Sequence, residues 1–223
     1  MEIMVQGMAK KLYKPDEVNI RIDFYTNKET YEEALAKGVQ NVESFVKDVL
    51  EKLDFSKEDM KTNSFSVIEE KRYDYETKKE IKLGFSYRQS ALVKFDYSME
   101  RVAKFIEKTA EIENAPKCRI TFEIKDIEKV KNELLAEAYS KAKEKAQIIA
   151  MAAGKNLRDC VKTDFKPFEG TYFSNSSIDS SDFDATAVHY KMSERSASEK
   201  IINTFTPEDI EISENIYCLW LAE

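Results

Sequence analysis

The sequence predicts an α+β fold in which antiparallel sheet is covered by two long helices and one shorter helix. Three observations carry that expectation. Several segments alternate apolar and polar residues with a period of two, the mark of a half-buried strand. Two long segments repeat apolar residues at spacings of three and four, the mark of an amphipathic helix. Only five glycines and four prolines occur in 223 residues, so most of the chain is expected in regular elements.

The elements follow in order. Residues 2 to 7 read as a short strand. After the Pro15-Asp16 turn signal, Val18, Ile20, Ile22 and Phe24 face one way and Asn19, Arg21 and Asp23 the other. Between Thr30 and Leu53 the period changes: Tyr31, Ala34, Leu35, Val39, Val42, Phe45, Val46, Val49, Leu50 and Leu53 make one broad helical face. Thr30 with Glu33 fits a capping box, with Asn27 as a rival cap. Two long antiparallel strands follow, joined near 76–80, with Leu83, Phe85, Tyr87, Ala91, Val93 and Phe95 expected on a common face. A shorter helix turns Val102, Phe105 and Ile106 inward, and the next strand does the same with Cys118, Ile120, Phe122 and Ile124. A long helix spans about 127 to 153. A strand near 159–168 and a closing strand with Ile216, Cys218 and Trp220 on one face complete the pattern. Strand, long helix and strand recur at about 18–68 and 118–168, which raises duplicated halves, although the two stretches do not align. The whole of 1–223 reads as one domain, with 169–200 a Ser/Asp-rich loop excursion.

Composition narrows the function classes. The formal net charge of −7 argues against general nucleic-acid or anionic-membrane binding. The three cysteines lie far apart and there is one histidine, which argues against a structural zinc site and for reduced thiols. No apolar run approaches the roughly 18 residues of a membrane span. A cytoplasmic location is expected if Met1 is the native start, and an exported, periplasmic one if a leader has been removed.

The most informative stretch is "LAEAYSKAKEKAQIIAMAAGKNL", residues 135–157. Ala138, Ala142, Ala146 and Ala150 stack on one helical face and form a shallow strip. Such a strip lets the helix axis lie unusually close to a neighbouring sheet or helix. The strip is expected to pack within the chain; the alternative is that part of it is an oligomer interface. Gly154 fits the left-handed position that ends helices.

With its surroundings this stretch resembles the SIMPL domain family, which includes periplasmic immunogenic proteins of bacteria. The resemblance rests on Val5-Gln6-Gly7 in an opening strand, Pro15-Asp16 before an alternating strand, and Ala34 early in a long helix. It continues through Thr62, Phe65, Ser66 and Val67, then a hairpin with Tyr73, Tyr75, Gly84, Phe85 and Gln89. Ala138, Ala142, Ala146, Gly154 and Leu157 match the alanine run, and Pro207, Ile210 and Ile212 the closing strand. Met8 stands where a glycine often completes G-x-G. The family implies an α+β fold, a tendency to self-assemble, proposed roles in envelope or oxidative-stress protection and protein interaction, and no catalytic residues to carry over.

Other constellations are weak. His189 lies among serines without a spacing that builds a nucleophile relay. Asp179, Asp182 and Asp184 lack the glycine and distal glutamate of a calcium loop. The hairpin interleaves Lys71, Arg72, Lys78, Lys79, Lys82 and Arg88 with Glu69, Glu70, Asp74, Glu76 and Glu80, so its charge nearly cancels. No catalytic, cofactor-binding or metal-binding residues are therefore assigned. The expectation is a non-enzymatic assembly or interaction protein, a homo-oligomer whose contact hairpin carries Tyr73, Tyr75, Phe85 and Tyr87. The alternative is an enzyme or small-ligand binder that uses a cleft near the 69–90 hairpin.

Overall fold

A computed structural model describes residues 1–76, 78–168 and 205–223. The element order is β1 (Glu2–Tyr13), β2 (Glu17–Lys28), α1 (Tyr31–Phe45), β3 (Met60–Asp74), β4 (Lys79–Asp96), α2 (Met99–Ala110), β5 (Lys117–Glu123), α3 (Ile127–Ala152), β6 (Leu157–Asp164) and β7 (Ile210–Ala222). The fold is α+β, with two wholly antiparallel sheets, as the alternation and helical spacing predict. The described residues form two compact units, the first from 1–14, 124–168 and 209–223, the second from 15–123 and 205–208. The first strand-helix-strand echo lies wholly in the second unit. The other takes β5 from the second unit and α3 and β6 from the first.

In the first unit the sheet order is β1-β7-β6. Strand β1 runs to Tyr13, six residues beyond the expected end at 7, because Lys10, Lys11 and Leu12 keep pairing with Ser213, Ile212 and Glu211. One face of the sheet carries Ile3, Val5, Ala9, Ile212, Ile216, Cys218 and Trp220, all buried. Helix α3 lies on this face through Leu134, Ala138, Ala142, Ala146 and Ala150. The four alanines are fully buried, so the strip packs as its spacing requires. The neighbour it approaches is β1: a Cβ placed on Gly7 would stand 1.9 Å from the Ala138 carbonyl oxygen and 2.9 Å from the Ala142 Cβ. Tyr139 closes the other flank of the helix against Trp220, with ring centroids 5.6 Å apart. Ile148 and Ile149, flanking the strip in sequence, are exposed. The helix ends in a Schellman motif: Lys155 N–H donates to the Ala150 carbonyl and Gly154 N–H to that of Met151, both at 2.9 Å, with Gly154 at φ +67°.

In the second unit the order is β3-β4-β2-β5. Val18, Ile20, Ile22 and Phe24 of β2 and Tyr87, Ala91, Val93 and Phe95 of β4 form the inner face. Phe45 at the end of α1 fills the centre, edge-on to Phe24 at 5.4 Å and to Phe105 of α2 at 6.0 Å. The Thr30 capping box forms, and Asn27 stays in β2. The predicted six-turn helix does not run uniformly. A π-helical turn at Val46–Leu50 and a 3₁₀ turn at Glu51–Leu53 replace its end. The wider turn keeps Val46, Val49, Leu50 and Leu53 all buried, which a continued α-helical face does not require. Tyr31 and Val39, expected inward, are exposed, and the buried positions between them are Ala34 and Gly38.

Two further expectations change. Leu83 leaves the face of Phe85 and Tyr87 because a bulge sets Glu70 opposite Gly84 but Lys71 opposite Lys82, and each added residue reverses the alternation. Gly84 supplies the bulge's φ of +106°. Cys118, opposite core residue Ile22, is solvent-accessible as a residue because β5 is an edge strand, although its thiol is partly desolvated.

These contacts set different penalties for single methyl groups. Gly7→Ala is expected to destabilise the protein by about 3 kcal/mol or more, because the new Cβ meets backbone rather than a movable side chain. Gly154→Ala, with nothing within 4 Å of the added carbon, is expected to lose only about 1 kcal/mol through its positive φ. Chemical denaturation of both variants checks the ranking.

Candidate functional site

The four aromatic residues of the hairpin do not form one surface. Tyr73 and Tyr75 sit near its turn, edge to face at 5.2 Å, with Tyr75 85% exposed. Phe85 is half-buried, edge-on to Tyr31 at 6.0 Å, with the Lys82 ammonium 4.3 Å from its ring centre. Tyr87 is a core residue, pressed on Gly38 so closely that a Cβ there would lie 2.2 Å from the ring. Phe65 meets the same ring edge-on at 5.3 Å. Tyr87 is thus withdrawn from any contact surface, and the exposed pair lies seven residues along β4 from it, about 23 Å at strand rise.

The hairpin's charges are paired as their interleaving predicts. Glu69 lies 3.0 Å from Lys82 and 3.2 Å from Lys71, and hydrogen bonds from these two ammonium groups hold its carboxyl below the ordinary range. Arg88 pairs with Glu70. Nearer the base of the hairpin is a groove of ≈ 320 Å³ lined by Val39, Val42, Glu43, Val46, Glu51, Lys57, Tyr87 and Gln89. Its apolar floor belongs to α1 and the π-helical turn; its charged groups stand around it. The polar atoms at its inner end serve one another. The Tyr87 hydroxyl donates to Gln89 Oε1, and Gln89 Nε2 donates to Thr62 Oγ1 at 2.9 Å. Burial pushes the Tyr87 phenol up, so the hydroxyl stays a donor rather than becoming a base. Gly38, Thr62 and Gln89 complete this arrangement, although the sequence reading assigned them no part in a site. A glycine inside a helical pattern was the available signal for Gly38, since it loses roughly 1 kcal/mol against alanine without a packing reason.

In the first unit the outer face of the sheet is mixed: Glu2, Gln6, Lys10, Ser213 and Asn215 share it with apolar residues, and Tyr217, opposite Gln6, is buried. Met4, Met8 and Leu12 of β1 are exposed, 44%, 54% and 63%, beside half-buried Leu219 and exposed Leu221 of β7. The buried face holds Cys218, whose thiol is pushed up to about 12 by burial and by neighbouring Cys160. A reactive cysteine needs the opposite shift. Among the described residues, no His/Cys/Asp/Glu group is arranged to hold a metal ion, and no helix is long and apolar enough to cross a membrane. His189, Asp179, Asp182, Asp184 and the 169–200 excursion lie outside the described residues.

Alanine helix on a three-stranded sheet, and aromatic core beneath a long hairpin, define a two-sheet α+β class with bonded polar atoms and exposed apolar residues on one sheet face. Within that class, the model of the SIMPL family, a protein of unknown function (DUF541), matches residues 3–219, and the chain belongs to that family. No curated protein matches the chain.

The thiol shift gives a pH test. Its folded pKa lies above the ordinary value of 9.0, so the folded state holds this proton more tightly than the unfolded chain. That contribution is complete below pH 9 and is lost as pH rises from about 9 to about 12. Alkylation of Cys218 at pH 8 is expected only on unfolding, while Cys118, solvent-accessible but with its thiol also pushed up to about 12 by burial and by Asp23, is expected to react slowly in the native protein. Peptide mapping after brief alkylation, with and without denaturant, checks the order.

Proposed function

We propose that this SIMPL protein is a non-enzymatic assembly and interaction protein, in the stress- or envelope-related setting that the family resemblance implies. The observation that carries it is the set of exposed apolar side chains on the outer face of the β1-β7-β6 sheet. The inner face is already filled by α3, yet Met4, Met8, Leu12 and Leu221 point outward into solvent among Glu2, Gln6 and Lys10. Met4 and Leu221 with half-buried Leu219 form an exposed apolar group of the kind that marks contact with another macromolecule. The exposed Tyr73–Tyr75 pair at the hairpin turn offers a second contact point.

The groove beside Tyr87 supports a small-ligand reading less well, because Gln89, Thr62 and the Tyr87 hydroxyl already satisfy one another. Light scattering across a hundredfold range of protein concentration tests the proposal. Self-association that weakens on Met4→Ser/Met8→Ser substitution is expected, and a strict monomer throughout removes the assembly part.

A further inference from the structure

We infer that a second copy of this chain adds to the free edge of β1, two β1 strands pairing antiparallel about a two-fold axis at Gln6. This rests on the assembly reading above and names its partner and register.

The edge comes first. Among the described residues β1 is paired on one side only, with β7. Its register to β7 is unbroken over all 12 residues. The other edge of the same sheet, β6, is eight residues long with two register shifts; in the second sheet edge strand β3 carries one, and the unbroken edge β5 is only seven residues long. Bulges of this sort are how sheets blunt their edges against further pairing. β1 has none.

Backbone geometry fixes which residues present hydrogen-bonding groups outward. The Met1 carbonyl accepts from Ala222 N–H at 2.9 Å, and the Met1 ammonium donates to the Ala222 carbonyl at 2.6 Å. Met1 therefore exchanges bonds with β7, and the pattern alternates along an antiparallel ladder. Odd residues of β1 bond to β7, and Glu2, Met4, Gln6, Met8 and Lys10 turn N–H and C=O to the free edge. The Gln6 carbonyl confirms the direction: it accepts from Lys145 Nζ of α3, which reaches the edge at 2.9 Å.

Charge then selects the register. With Gln6 opposite Gln6, each Glu2 faces Lys10 of the other copy and each Met4 faces Met8. Shifting by one bonding step sets Glu2 against Leu12 or against Met8, and both salt pairs are lost. The two-fold register thus makes two opposite-charge pairs and two methionine contacts from one strand, on the same open face that carries the exposed apolar residues. Lys145 holds the Gln6 carbonyl in the separate chain and yields it to the Gln6 N–H of the partner copy.

The experiment uses the full chain with Cys118→Ser. Gln6→Cys is treated with a bismaleimide shorter than 14 Å, beside Met4→Cys as control, whose copies stand about 14 Å apart in this register. Rapid cross-linking of Gln6→Cys and little of Met4→Cys is expected. Lys10→Glu should weaken association several-fold, and adding Glu2→Lys should restore it. The restoration reads only the contact between copies, since the repulsion of Lys10→Glu from Glu211 of its own chain persists in the double variant. Lys145→Ala should strengthen association about 25-fold, because pairing breaks one modest hydrogen bond in each of the two copies. Circular dichroism confirms that each variant folds. Association of the wild type without selective Gln6→Cys cross-linking, or without charge-swap rescue, overturns this edge and leaves the assembly reading standing. A wild type that never associates removes both.

Discussion

The approach of two backbones, Gly7 of β1 and Ala138 of α3, is the constraint on which the first unit is built. A methyl group on Gly7 would overlap the Ala138 carbonyl, so the strand and helix touch through main-chain atoms. Alanines at 138, 142, 146 and 150 extend that contact along the helix, and each buries little apolar area by itself. The bulk of the core is instead supplied from β7, by Ile212, Ile216 and Trp220, and from β1 by Ile3 and Val5. Small residues set the spacing and large ones fill the remainder. The closeness also explains how Lys145, on the helix, can reach the edge of β1 to bond Gln6.

The second unit solves the same problem with the opposite material. Its helix–sheet interface is filled by rings: Phe24, Phe45 and Phe105 in edge-to-face contact, and Phe55 against Phe95 under the Arg101 guanidinium. Only at Gly38 does it use the device of the first unit, letting the Tyr87 ring lie on helix backbone. Both units end a helix with the same hydrogen-bond arrangement. Asp54, at φ 58°, takes the left-handed place that Gly154 takes after α3, with Phe55 N–H bonded to the Leu50 carbonyl at 3.0 Å.

Much of this was legible in the residues. Alternation located the strands, and the Thr30–Glu33 pair and Gly154 marked helix ends, because each is a local matter of period or capping chemistry. The alanine spacing announced a close neighbour but could not say which element, since that depends on pairing between residues far apart in sequence. The π-helical turn at Val46–Leu50 and the bulge at Gly84 were hidden for a related reason. A single inserted residue leaves the composition of a segment unchanged while reversing the direction of every side chain beyond it. The candidate site was legible only as exposed aromatic residues; Tyr87, read as one of them, is core because Gly38 makes room for its ring.

The pairing of β1 with β7 has a consequence for synthesis. Strand β1 finds its sheet partner β7 only after roughly two hundred further residues have been made. Residues 15–123, the main part of the second unit, are made in the meantime. For that interval both sides of β1 stand unpaired, with Met4, Met8 and Leu12 along it, so the nascent chain carries its stickiest segment longest and has most need of a chaperone there.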